Sequence, residues 1–264
     1  MNDVAMKSRR RFLTRLAAGA GTLLLAGCER LSESSWFPKV LSAGERLSHA
    51  AQSLVTGRKA MAQEFSEADL SPTFRSNGTA EPDSEAYAAL AAKGFADYRL
   101  DVGGLVGAPR SFSLADLRAL DSRTQITRHD CVEGWSAIGK WKGAKLSALL
   151  DVVKAKPEAR YVVFYCADPM SDSDGDGIND SDFYYESLDM VEATHPQTLL
   201  AYGLNGQDLD IAHGAPVRVR AERQLGYKQP KYVKDIVLVD SLEKIGGGKG
   251  GYWEDQGYNW WGGI

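Results

Sequence analysis

In the stretch Arg128-His129-Asp130-Cys131-Val132-Glu133-Gly134-Trp135-Ser136 a thiol stands between a basic cluster and a carboxylate, with Trp141 close behind. Nearby cations lower a thiol's pKa, and the thiolate is the form that ligates a metal or attacks an electrophile. Arg128 keeps its proton at any working pH, so the sequence assigns that field to it. Cys131 is therefore a candidate metal ligand or nucleophile, set against the plainer reading of a small apolar filler. Glu133 is placed to hydrogen-bond a metal-bound water or to shuttle a proton. Its alternative is a surface carboxylate paired with a neighbouring cation. Trp135 and Trp141 read as wall and core, the usual use of large aromatics.

A second concentration of chemistry follows in Arg218, Lys228 and Lys231, grouped around Gly226, with Gln229-Pro230 between the lysines. Phosphate selects Arg for bidentate bonds and Lys for a point charge, so the group is a candidate anion site. Each cation alone would read as a solvated charge on a strand face. Asn77-Gly78-Thr79 makes a turn whose backbone can approach a ligand closely, although the same tripeptide is an ordinary turn in most settings. Asp172, Asp174, Asp176, Asp180 and Asp182 alternate around Gly175 and Gly177 and resemble a calcium loop. The twelfth position from Asp172 is Phe183 instead of a bidentate Glu, so an empty acidic loop is the competing reading.

These residues need a frame. Tyr98–Val102 alternates with period two and breaks at Gly103-Gly104, as a strand running into a turn does. Ser113 with Asp116 is a capping-box start for a short helix to Leu120, and Leu146–Val153 has helical spacing of apolar residues. Tyr161–Tyr165, Val217–Val219 and Ile236–Val239 read as buried strands. With no phosphate-binding glycine fingerprint and no regular βα alternation, the expected class is α+β, mostly β, a mixed sheet with short helices.

The N-terminus reads as an address. Ser8-Arg9-Arg10-Arg11-Phe12-Leu13 has the paired arginines of a twin-arginine export signal, and Leu25-Ala26-Gly27-Cys28 resembles a lipoprotein processing site. Residues 1–27 are expected to be signal, 28–71 a tether with one helix around Ala43–Val55, and 72–264 the working domain. The expected location is the periplasm, lipid-anchored through Cys28. A net charge of −4 argues against nucleic-acid binding, which calls for a basic surface.

From Pro72 to Ile264 the chain resembles the molybdopterin-binding domain of the sulfite oxidase family. It is most similar to the bacterial periplasmic branch that includes the catalytic subunit of the methionine sulfoxide reductase system. The resemblance rests on Cys131-Val132-Glu133-Gly134-Trp135-Ser136 with Trp141, on His213-Gly214-Ala215-Pro216-Val217-Arg218, and on Gly226-Tyr227-Lys228 followed by Lys231. It implies a molybdopterin cofactor whose molybdenum takes Cys131 as its protein ligand, a soft thiolate suiting a metal already bound by sulfur. It also implies cofactor contacts from Asn77, Gly78, Thr79, Cys166, His213, Arg218, Gln229, Pro230 and Lys231, with Lys228 assisting. His213 replaces an Asn of that branch, and Cys166 a Thr.

The expected activity is two-electron oxygen-atom transfer on a small substrate such as sulfite or a sulfoxide. Electrons would be exchanged with a separate carrier, a quinol-linked membrane cytochrome first among candidates. Arg128, Arg220 and Arg223 would favour an anion such as sulfite if they faced the pocket. Two other classes stay open: a non-catalytic lipoprotein using its acidic loop for Ca²⁺, and a hydrolase pairing Cys131 with His129 or His213.

Overall fold

The computed structural model describes residues 59–170 and 183–264, with scattered positions between 36 and 57. The chain divides into two units after Arg58. In the first, every described position from Phe37 to Ala51 is helical, and the Val40 amide donates to the Trp36 carbonyl at 3.1 Å. The expected signal and the acidic loop from Asp172 to Asp182 lie outside the described residues.

The second unit is built on strands β1 (Leu100–Gly104), β2 (Arg110–Phe112), β3 (Ser122–Asp130), β4 (Ser136–Lys145), β5 (Tyr161–Pro169), β6 (Phe183–Asp189), β7 (Leu199–Leu204), β8 (Gln207–Asp208), β9 (Arg218–Arg220) and β10 (Val233–Val239). One sheet runs β2-β1-β10-β5-β6 and the other β3-β4-β7-β8, with β9 also paired to β7. β1 and β10 are parallel, while the other strand pairs of the described residues are antiparallel. The short helices are α1 (Glu85–Ala92), α2 (Leu114–Ala119), α3 (Leu146–Val152), α4 (Met190–Ala193) and α5 (Tyr252–Asp255). The class is α+β and largely β.

Local chemistry explains the elements. α2 starts in the expected capping box: the Asp116 amide donates to Ser113 Oγ at 3.1 Å and the Ser113 amide to Asp116 Oδ2 at 2.9 Å. α3 buries Leu146, Leu149 and Leu150, the face that its apolar spacing creates. The main core joins these leucines to Leu100, Val162, Phe164, Ile236 and Leu238 from the first sheet. A smaller cluster gathers Phe74, Trp141, Ala201 and Leu204 around the second.

The folded unit begins at Lys59, earlier than the expected boundary at Pro72. The reason is the free edge of β3. Glu64 forms an antiparallel bridge with Thr127, and the Phe65 amide donates to the Ile126 carbonyl at 2.9 Å, so part of the expected tether closes an otherwise open sheet edge.

Candidate active site

β3 and β4 form one long hairpin in register from Ser122↔Ala144 to Asp130↔Ser136, and Cys131 stands at the start of its loop. The Cys131 amide donates to the Trp135 carbonyl at 2.9 Å and the Gly134 amide to the Cys131 carbonyl at 3.0 Å. Gly134 takes a φ of 83°, a conformation that closes this loop and that an L side chain would strain. Cys131 is thereby held on a rigid hairpin tip, half-buried, as a free thiol.

Cys131 lines a cavity of about 250 Å³. Asn77, Gly78 and Thr79 line it as well, with Glu133, Asp168, Gln229, Pro230 and Lys231. The remaining wall is apolar or aromatic and includes Val132, Tyr184, Trp253 and Tyr258. Thus three segments far apart in sequence, 77–79, 131–133 and 229–231, meet at one place.

Several expected roles change. Arg128 does not supply the field at the thiol: it is largely exposed and pairs with Asp130 at 2.9 Å. Burial pushes the Cys131 thiol above its ordinary value, the charge of Glu133 adds to that, and Arg75 is the cation that opposes it. Arg75 lies over the Trp135 ring at 5.4 Å. Glu133 Oε2 accepts from Trp135 Nε1 at 2.9 Å, which orients the carboxylate at the cavity mouth.

His213 and Arg218 stand behind the wall. The His213 ring lies 2.6 Å from Asp210 Oδ1 through Nδ1 and 2.9 Å from the Phe74 carbonyl through Nε2, so both nitrogens are engaged. Arg218 is fully buried, donating to the His213 carbonyl at 3.1 Å and the Gln229 carbonyl at 3.2 Å. It positions Gln229, which does line the cavity. Lys228 is not a wall residue either, because its ammonium is buried between Glu186 and Glu254. Cys166 is buried in the main core on β5. Lys231 reaches the cavity but donates to the Thr79 carbonyl, to the Ala212 carbonyl at 3.0 Å and to Ser76 Oγ at 3.4 Å, tying the 77–79 turn in place. Burial and Arg218 bring its pKa down to about 7.

Arg128, Arg220 and Arg223 do not form an anion cluster at the cavity. Arg220 is buried against Glu222, Arg223 pairs with Glu192, and the three line no part of the cavity. The residue that sequence reasoning passed over is Asp168, 6% exposed on the cavity wall, with Oδ1 unpaired. Burial raises its pKa, against the opposing pull of Thr79 and Lys231.

Asn77 Oδ1 is likewise buried without a partner. Nearly all buried polar atoms in folded proteins are paired, and with Gln229 set against the His129 ring the acceptors of Asn77 and Asp168 at one cavity mark a place prepared for a ligand with N–H donors. The oxidoreductase molybdopterin binding domain matches residues 88–244 of this chain. The chain belongs to this molybdopterin-binding oxidoreductase family. A relative from Azospira oryzae, provisionally named protein-methionine-sulfoxide reductase subunit YedZ1, is 36% identical over 98% of this chain and 89% of its own length. The protein-methionine-sulfoxide reductase catalytic subunit MsrP of Ralstonia nicotianae is 33% identical over 88% of this chain and 69% of its own. Among solved structures, the sulfane dehydrogenase SoxCD from Paracoccus pantotrophus superposes with a TM-score of 0.49 at 24% identity, over 56% of this chain and 40% of that one.

The cofactor of the molybdopterin-binding family fits what the wall offers. A pterin's amide and amine hydrogens suit the acceptors of Asn77 and Asp168, while Lys231, committed to Thr79, Ala212 and Ser76, holds the turn beside them. A free Cys131 thiol held neutral by burial becomes a thiolate ligand once a metal's charge outweighs that cost.

Proposed function

We propose that this molybdopterin oxidoreductase reduces a sulfoxide, the oxygen leaving as water and the sulfur as a thioether. Per turnover a sulfoxide takes up two electrons and two protons and releases one water, the electrons coming from a separate reductant. Bound molybdenum supplies a two-electron centre with affinity for oxygen. The chain's own residues do the rest: Cys131 holds the metal at the hairpin tip, and Asn77 and Asp168 orient the pterin. Glu133, fixed by Trp135, is within the mouth where a departing oxygen must gain protons.

One observation supports a sulfoxide over sulfite. The wall of the cavity that holds Cys131 includes Val132, Tyr184, Trp253 and Tyr258, and the three arginines suited to an anion lie elsewhere. A neutral S=O group with apolar flanks suits such walls, whereas a sulfite ion calls for several cations. The names carried by the Azospira and Ralstonia relatives support the same reading. The motif at Arg9-Arg10 and the sequence ending at Cys28 support export to the periplasm with a lipid anchor; the electron donor we propose there is a membrane cytochrome.

Assay of the molybdenum-loaded protein with reduced viologen dye and a sulfoxide tests the reading, with sulfite and an oxidising dye as the opposite arm. Sulfoxide-dependent dye oxidation is expected. Sulfite oxidation with no response to any sulfoxide would overturn it.

A further inference from the structure

The segment that completes the cavity from the far side is held by an unusual fastening. Lys228 Nζ lies 2.5 Å from Glu186 Oε1 and 2.7 Å from Glu254 Oε1, and all three side chains are buried, at 1%, 0% and 0% exposure. The Trp260 ring lies 5.0 Å from the same ammonium. A buried cation between two carboxylates holds strongly in one arrangement only, because losing one partner strands a charge without water. Glu254 belongs to α5, so the ion cluster pins α5 to β6 and to the turn at Gly226–Lys228.

What is pinned there is an aromatic ledge. Trp253 and Tyr258 stack with centroids 5.4 Å apart at 30°, and Tyr227 meets Tyr258 edge-on at 5.3 Å. The Tyr258 amide donates to the Trp253 carbonyl at 2.9 Å, which closes the turn between them, and Tyr227 Oη donates to the Asn259 carbonyl at 2.7 Å, which ties its ring to that turn. All three rings line the cavity that holds Cys131. Tyr258 is 42% exposed, and Val132, which lines the same cavity next to the thiol residue, is 44% exposed. Exposed apolar side chains lining one cavity mark a binding surface.

We propose that the Trp253–Tyr258 ledge is the substrate subsite for the side chain of a peptide-borne methionine sulfoxide, and that the buried Lys228 cluster sets its position. The inference rests on the sulfoxide reading and adds where and how the substrate is selected. A methionine side chain is a thin, flexible thioether whose sulfur and methyl groups pack favourably on ring faces. The ledge takes the methylenes and methyl, directing the S=O toward Cys131, and Val132 with the exposed edge of Tyr258 carries the flanking peptide. Trp253 and Tyr258 are specificity residues, while Lys228, Glu186 and Glu254 are positioning residues.

The test uses the molybdenum-loaded enzyme, a short peptide containing methionine sulfoxide, and dimethyl sulfoxide as a substrate too small to span the ledge. Trp253→Ala with Tyr258→Ala should raise the peptide KM about ten- to a hundredfold, with much less effect on its kcat. The ratio of specificity constants, peptide over dimethyl sulfoxide, should fall at least about tenfold. Trp253→Phe should restore most of the loss. Calorimetric binding of the reduced, methionine-containing peptide should weaken in parallel, a readout that needs no turnover. Glu254→Gln should shift the same KM in the same direction with molybdenum content retained. An unchanged ratio and unchanged peptide binding in the double variant would overturn the ledge, as would equal loss of both substrates together with the metal. A wild-type enzyme inert toward every sulfoxide would instead overturn the reading beneath it.

Discussion

Arg220 Nη1 donates to His129 Nδ1 at 2.8 Å, and that single bond decides what His129 is able to do. A guanidinium has no acceptor, so Nδ1 carries the lone pair and the ring proton resides on Nε2. On that side Gly226 packs so closely that a Cβ there would lie 2.6 Å from Nε2, which accounts for a glycine at 226. Neither His129 nor His213 lines the cavity with Cys131, so neither serves there as the base of a cysteine hydrolase.

Burial, with Arg220 and then Arg218, holds the His129 imidazole well below the ordinary histidine range. Below about pH 6.5 the unfolded chain binds a proton that the folded one refuses, so stability falls as pH drops from 7 toward 5. His129→Gln keeps an acceptor for Arg220 and removes the titration. Melting temperatures over that range should fall less steeply for the variant than for wild type.

Lys231 titrates in a separate window. Its folded pKa of about 7 lies below the 10.5 of free lysine, so without cofactor the unfolded chain binds more protons between those values. Stability of the cofactor-free protein should therefore rise with pH from about 7 toward 10. Melts of Lys231→Met across that window should lose this rise, and an unaltered slope would show that burial does not depress Lys231.

Cys131→Ser removes the metal ligand and leaves Asn77, Asp168 and Gln229 in place. Turnover should vanish and molybdenum should drop, while much of the pterin, read by fluorescence after release, stays bound. Full activity in this variant would end the molybdenum reading of the site.

Asp168→Leu removes a buried acceptor that the cofactor is expected to satisfy. A hydrogen bond to a charged group contributes roughly 1.5–3 kcal/mol, so pterin retention should weaken by about ten- to a hundredfold. Arg110→Ala, on β2, paired with Asp116 at 3.1 Å and lying over the Phe112 ring outside this cavity, should retain its pterin. The readout is pterin content after extended dialysis.

Arg218→Ala tests a positioning role. Its guanidinium holds the carbonyls of His213 and Gln229, and unsatisfied buried groups cost about 1–3 kcal/mol each. We expect a fall of several degrees in melting temperature even without cofactor, with pterin lost secondarily through Gln229. Cofactor loss with no thermal change would place Arg218 on the ligand directly.

The meeting of 77–79, 131–133 and 229–231 was an implication of the family resemblance; the local signals alone, a glycine turn, a thiol beside a carboxylate and a dense run of cations, do not say that the three segments meet. What a side chain faces was not legible. Arg218 and Lys228 have the residue types of a phosphate site, yet one braces a carbonyl pair and the other sits among carboxylates, since charge type says nothing about direction. Asp168 gives no sequence signal because it sits in the irregular end of β5, past Cys166, where the pairing with β6 shifts register and turns the chain from the core to the cavity wall. Trp253 and Tyr258 follow a glycine-rich run with no strand or helix period, so only the folded chain brings them to the cavity. The β3–β4 hairpin escaped for a related reason, because its strands mix charged and small residues and its partner edge is the 62–65 segment.

The cavity wall joins Asn77 to Tyr258, positions at opposite ends of the folded unit. During synthesis, then, most of the sheets can assemble on the nascent chain while this wall is still missing one side. No cofactor can be enclosed until the ribosome has delivered α5 and the ledge, however early the Cys131 hairpin forms. A chain stalled before residue 253 would therefore lack one wall of the Cys131 cavity and is expected to retain pterin poorly.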